Sequence, residues 1–346
     1  MRTRERDVTT LPKAHLHLHF TGSMRIATLH DLADKHGLRL PEALLQGGWP
    51  PQLSARDERG WFRFQRLYDA ARACVQDESD LRRLVREAAE DDAAEGSRWL
   101  ELQVDPTSYA ARLGGITPAL EIVLDEARAA SEDLPIGVGV IVAASRLRHP
   151  MDARTLARLA AHHAGDQPGQ VIGFGLSNDE RRGTTTDFAP AFAIAGKAGL
   201  ARVPHAGELL GPQAVSETLD SLDPTRLGHG VRSAESDAVL RRVVDSGVAL
   251  EVCPGSNVAL GVYPTPADVP LRRLVDAGAQ VALGADDPLL FGHRLGDQYR
   301  SARDDHDFTD AELAGLARSS IDASLAPDDV RAAARRDIDA WLARPA

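Results

Sequence analysis

Cysteine is nearly absent: the only two, Cys74 and Cys253, lie far apart in unlike contexts. They form no CxxC pair and no disulfide framework, so a reducing compartment, the cytoplasm, is the expected location. Aromatic residues make up only 5% of the chain, which leaves Leu, Val and Ala to supply most of the packing. Positive charge is also in short supply. With 40 Lys and Arg against 51 Asp and Glu, the formal net charge is −11. Phosphate backbones and anionic membrane surfaces need clustered cations, so neither a nucleic acid nor a membrane is an expected partner. No apolar run approaches the roughly 20 residues that a membrane helix needs. The opening MRTRERDVTTLPK has charge but no apolar stretch, so no signal peptide is expected.

The chain has 346 residues, 43% of them hydrophobic and 26% charged. That is enough to bury one large core, and a single domain over 1–346 is the simplest organisation. Short β-like runs at 14–19, 99–104, 137–143, 171–175, 201–205, 226–229, 249–253 and 280–284 alternate with Ala/Leu/Arg-rich helical segments. Several runs are almost wholly apolar, as strands covered on both faces are. Eight strands separated by helices predict a parallel (β/α)8 barrel, with a doubly wound open sheet as the alternative. The first crossover is too long for one helix. Residues 20–98 are expected to form a helical insertion after strand one, either a lid or a segment packed on the barrel wall. The tail beyond 301 reads as two or three closing helices.

Ionisable residues gather where strands end, which in a barrel is the catalytic face. Strand one contains PKAHLHLHFTG, with histidines at 15, 17 and 19; alternate residues of a strand share a face. The fifth strand ends in VPHAGE, with His205 and Glu208, and the sixth in RLGHG, with His229. The eighth ends in LGADDP, with Asp286 and Asp287. Each fragment alone has a bland structural reading, a buried histidine or a solvated acidic turn. Together, two or three imidazoles and a carboxylate suit a borderline divalent cation such as zinc. Such an ion lowers the pKa of a bound water toward about 7. Glu208, three residues after His205, is near enough to donate a proton.

In this order HxH, HAGE, GHG and DDP resemble the adenosine deaminase family of the metal-dependent amidohydrolases. LELQVDP at 100–106, GVGVIVAASR at 137–146 and LEVCPGSN at 250–257 agree with it. The resemblance runs from about 11 to 292. It implies a (β/α)8 barrel binding one zinc ion per chain, which hydrolyses the exocyclic amine of a 6-aminopurine such as adenosine. By motif, His17, His19, His205 and Asp286 would hold zinc, and His229 would orient or deprotonate the attacking water. Glu208 would protonate purine N1, and Asp287 would bind N7. His15 stands where the family usually has an acidic residue, which implies a structural role.

Two departures fall on the substrate side. Thr21 replaces the acidic residue that binds the ribose 5′-hydroxyl in adenosine deaminases, and a threonine offers no charge-assisted bond. Asn178, in GFGLSNDE, stands where the family has a glycine whose backbone N–H approaches the purine. These changes leave open adenine itself, or a 5′-modified adenosine such as aminodeoxyfutalosine. A catalytically inactive purine-binding relative is a further alternative, although no residue of the metal or proton-transfer set is replaced. The other histidines, at 30, 36, 149, 162, 163, 293 and 306, are expected not to bind metal. Cys253 is expected to pack in the core. Arg146 and Arg148 are expected in surface salt bridges, with an anionic substrate group as the alternative partner.

Overall fold

A computed structural model describes residues 6–45 and 47–344. Eight parallel strands run in sequential order: β1 (Lys13–His19), β2 (Ser97–Val104), β3 (Gly137–Ser145), β4 (Val171–Ser177), β5 (Ala201–Ala206), β6 (Arg226–His229), β7 (Ala249–Val252) and β8 (Val281–Leu283). The ring closes just past β8. There the Asp286 N–H donates to the His17 carbonyl, and the His19 N–H donates to the Asp286 carbonyl, both at 3.0 Å. The architecture is a (β/α)8 barrel, as the alternation predicts. No helix among the described residues is long and apolar enough to cross a membrane.

The long first crossover carries α1 (Ile26–Lys35), α2 (Glu58–Ala73) and α3 (Glu78–Ala94). Helix α3 starts at a reciprocal cap between Asp77 and Asp80, which satisfies amides at the open helix end. Its buried positions Leu81, Leu84, Val85, Ala88 and Asp92 follow a helical period and turn one stripe toward the barrel. It is the ordinary crossover helix to β2. Helix α2 instead stands over the carboxyl ends of the strands. Three helices, Leu295–His306, Asp310–Ala323 and Asp328–Ala343, close the chain.

Strand β1 does not keep the simple alternation of its sequence. His15 pairs with Leu100 and Leu18 with Leu102, so β1 spends three steps where β2 spends two. That extra residue is a β-bulge, and one residue of slip moves a side chain to the other face. His15 therefore leaves the barrel axis. Its Nδ1 bonds Asp92 of α3 at 2.9 Å, and its Nε2 accepts the Ala285 N–H. His17 and His19 face inward. The three histidines are alternate in sequence but do not share a face.

Below the strand ends the barrel interior holds a chain of charges. Arg226 on β6 binds Glu101 on β2 and, at 2.7 Å, Glu251 on β7. Glu251 then accepts from His17 Nδ1 at 2.8 Å, and Glu101 also takes the Trp99 indole and the Leu325 N–H. Every member is buried. Removing the cation strands two carboxylates in a low-dielectric interior, which is far more costly than the pair is stabilising. Arg226→Met is expected to lower unfolding free energy by about 3–5 kcal/mol, read by urea denaturation; a change within experimental scatter would contradict it.

Candidate active site

The inward histidines meet the other strand ends at the floor of a cavity of about 350 Å³. His19 Nε2 lies 3.2 Å from His205 Nε2 and 3.2 Å from Asp286 Oδ1. His17 Nε2 lies 3.6 Å from the same carboxylate oxygen and is buried without a hydrogen-bond partner. Uncovered ring nitrogens facing each other and a carboxylate at these distances match the donor set of a divalent cation such as zinc. The residues that could hold one are His17, His19, His205 and Asp286. His17 keeps its Nδ1 on Glu251, a bond that fixes the ring and leaves Nε2 free for an ion.

The backbone pays for this convergence in strain. His229 and Asp286 sit at φ +62° and +63°, a left-handed conformation that only glycine adopts freely. Two glycines supply the room. A Cβ on Gly228 would come within 2.9 Å of both the His17 and His205 rings, and one on Gly22 within 1.8 Å of Asp287 Oδ1. The glycine that follows Thr21 is thus the seat of the Asp287 carboxylate.

The protonation states follow from burial and neighbouring charge. Burial drives the His205 imidazole well below its usual pKa and takes His229 down to about 3. Both rings are neutral at physiological pH. Asp286 is held well below the ordinary carboxylate range: burial opposes its charge, but the His17 and His19 imidazoles facing it prevail. Glu208 and Asp287 shift the other way, raised by burial and then by the Asp286 charge beside them. Both shifts favour the protonated acid beside an ionised neighbour, the usual way to set an acid against a base in one site. His229 Nε2 stands 3.6 Å from Glu208 and 4.0 Å from Asp286.

Thr21 and Asn178 also line the cavity. The Thr21 hydroxyl bonds Tyr109 at 2.6 Å. Asn178 takes φ +80° and turns its side-chain oxygen onto the Asp179 N–H at 2.8 Å, one of the few residues that tolerate a glycine-like backbone. Cys253 is buried beneath the site, and burial raises its thiol well above the usual value, so it stays protonated. Arg146 departs from expectation. It is buried rather than on the surface, and it binds no carboxylate among the described residues; it donates to the His205 carbonyl at 2.9 Å. Arg148 lines the cavity.

Glu251, Glu180, Tyr68 and Tyr109 were not legible as site residues. Glu251 carried the one available signal, an acidic residue inside an apolar strand run. The others depend on contacts distant in sequence.

Residues 12–341 match the family model described as adenosine deaminase. The chain belongs to the adenosine deaminase family. A putative adenosine/adenine deaminase of Streptomyces virginiae is 61% identical, covering 97% of this chain and 98% of that protein. The crystal structure of adenine deaminase from Arthrobacter aurescens superposes with a TM-score of 0.88 at 30% identity, over 96% of this chain and 99% of that one. A Burkholderia ambifaria amidohydrolase with bound zinc gives a TM-score of 0.83 at 25% identity, over 97% and 92% of the two chains. This adenosine deaminase family member is thus an aminohydrolase.

The Gly22 seat is open to a direct test. Gly22→Ala is expected to push Asp287 aside and cost about 1–3 kcal/mol, read as a lowered melting temperature with reduced turnover. Unchanged stability and turnover would show that the carboxylate does not need the seat.

Proposed function

We propose that this protein catalyses zinc-dependent hydrolytic deamination of a 6-aminopurine nucleoside, adenosine or a close relative, releasing ammonia and the 6-oxo product. The observation that carries the reading is the meeting of four strand ends. His19, His205, Asp286, Glu208 and His229 line one cavity, with His17 buried against Asp286. A zinc ion held by His17, His19, His205 and Asp286 would supply a Lewis acid that activates water near neutral pH. The zinc-bearing Burkholderia relative supports that choice of ion.

The chain's own groups then divide the proton transfers. Glu208, kept protonated by burial, gives its proton to purine N1 and so makes C6 more electrophilic. His229, kept neutral, accepts a proton from the attacking water. Asp287, also protonated, can donate a hydrogen bond to N7, an acceptor, and hold the ring in register. Water adds at C6, and His229 passes the proton it took to the amine, so that the C6–N bond breaks and ammonia leaves; the C6 hydroxyl gives its proton back to Glu208 as the 6-oxo group forms, and both residues return to their starting states.

The substrate's far end is read from the cavity wall. Thr21 offers no carboxylate for a 5′-hydroxyl, and its own hydroxyl is engaged by Tyr109. Trp61, Phe64, Tyr68 and Arg72 of α2, with Arg148 opposite, extend the lining beyond the reacting end. This wall keeps a nucleoside with a 5′ substituent, such as aminodeoxyfutalosine, as the alternative to adenosine. The Arthrobacter relative, an adenine deaminase, supports a second reading in which the bare base is the substrate.

Ammonia release and purine absorbance with zinc-loaded protein test both levels. Adenine, adenosine, 2′-deoxyadenosine and aminodeoxyfutalosine form the panel, and adenosine is expected to give the highest kcat/KM. Turnover of none of the four would overturn the reaction; adenine or the 5′-modified nucleoside ranking first would overturn adenosine as the substrate. Glu208→Gln is expected to keep zinc and lose about 10²–10⁴ of kcat. Metal analysis separates the histidines: His19→Ala should lose zinc, while His15→Ala should retain it. Equal loss in both would place His15 among the ligands.

A further inference from the structure

The general acid sits on an unusual piece of chain. Strand β5 stops at Ala206, and the next helix does not begin until Pro212. The residues between have neither a sheet neighbour nor a helical turn to absorb their amides. Buried amides left that way are costly. All four of those from 207 to 210 instead point at one buried carboxylate, Glu180, which follows β4. Glu180 Oε1 accepts from the Gly207 N–H at 2.6 Å. Its Oε2 accepts from the N–H groups of Glu208, Leu209 and Leu210 at 3.1, 2.8 and 2.8 Å. Gly207 lies at φ +71°, which turns the chain around the anion. Arg232 holds the outer side, donating from its side chain to the Leu209 carbonyl and from its N–H to the Gly207 carbonyl.

We propose that Glu180 is a positioning residue for the deamination: its carboxylate gathers the amides of Gly207–Leu210 and thereby fixes the backbone from which Glu208 reaches the purine. The inference rests on the proposed role of Glu208 as proton donor. Glu180 lines no part of the cavity, so it acts through the loop and not on substrate. A carboxylate suits the task because both oxygens accept and neither donates. A carboxamide in its place has one accepting oxygen, and its NH2 group must face at least one of the four N–H donors. A proton donor displaced by a fraction of an ångström transfers poorly while the purine still binds, so the loss falls on kcat.

The test compares zinc-loaded wild type, Glu180→Gln, Glu208→Gln and the double variant. Glu180→Gln is expected to keep its zinc, leave KM within about threefold and lower kcat about 10- to 100-fold. The double variant should be no slower than Glu208→Gln alone, since one residue acts through the other. Hydrogen exchange of the 207–210 amides should accelerate about tenfold or more in Glu180→Gln, with β6 unaffected. Glu180→Asp, which keeps the charge but shortens the reach, should recover part of the lost kcat; it also serves if the Gln variant does not fold. Wild-type kcat in Glu180→Gln, loss of zinc, a shift confined to KM or multiplied losses in the double variant would each overturn the proposal. Wild-type inactivity across the purine panel overturns the reaction instead, and the exchange measurement still reports on the clamp.

Discussion

The peptide of Asp286 joins the two ends of the barrel. Its N–H and C=O are taken by His17 and His19 of β1, so the bonds that close the sheet are made by the residues that build the site. Closing the ring brings the Asp286 carboxylate against the two imidazoles, and the left-handed backbone at this residue is the strain of doing so. Loosening the closure would open the donor set. The cost of holding uncovered ring nitrogens and carboxyl groups together in a buried place is therefore borne by the sheet hydrogen bonds and the apolar packing around them.

Polar support continues beneath that floor. Glu251 orients His17, Arg226 neutralises Glu251, and Glu101 completes the charge of Arg226. Such a chain is a poor source of stability, because each ion gives up its hydration. What it supplies is direction: an imidazole held at Nδ1 has only Nε2 to offer an ion. At the neighbouring strand, Arg146 on the His205 carbonyl and Glu180 on the following amides hold the end of β5 from both sides. The site is fixed by partners that face away from the cavity as much as by those that line it.

Much of this was visible as pattern. Apolar runs at regular intervals announced eight covered strands, and the motif residues at their ends were correctly grouped as one cluster. Less visible were features that need the third dimension. The three histidines of β1 alternate, and alternation implies a shared face; the bulge between His15 and Leu18 breaks the rule and sends His15 to Asp92 of α3. No local property of HLHLH announces an extra residue in the pairing, because it arises from the register with β2. Arg146 was expected on the surface for its charge, yet it is buried with its guanidinium on the His205 carbonyl, a contact 59 residues away in sequence.

Residue type and spacing were enough to establish the barrel, the family and the aminohydrolase class, since hydrophobic period and motifs are local properties of the chain. The face each histidine takes, the upward shifts of Glu208 and Asp287, and the anchoring of the 207–210 loop on Glu180 belong to the folded molecule. They depend on which distant groups share a dry interior, where a few ångströms of separation set both charge state and direction.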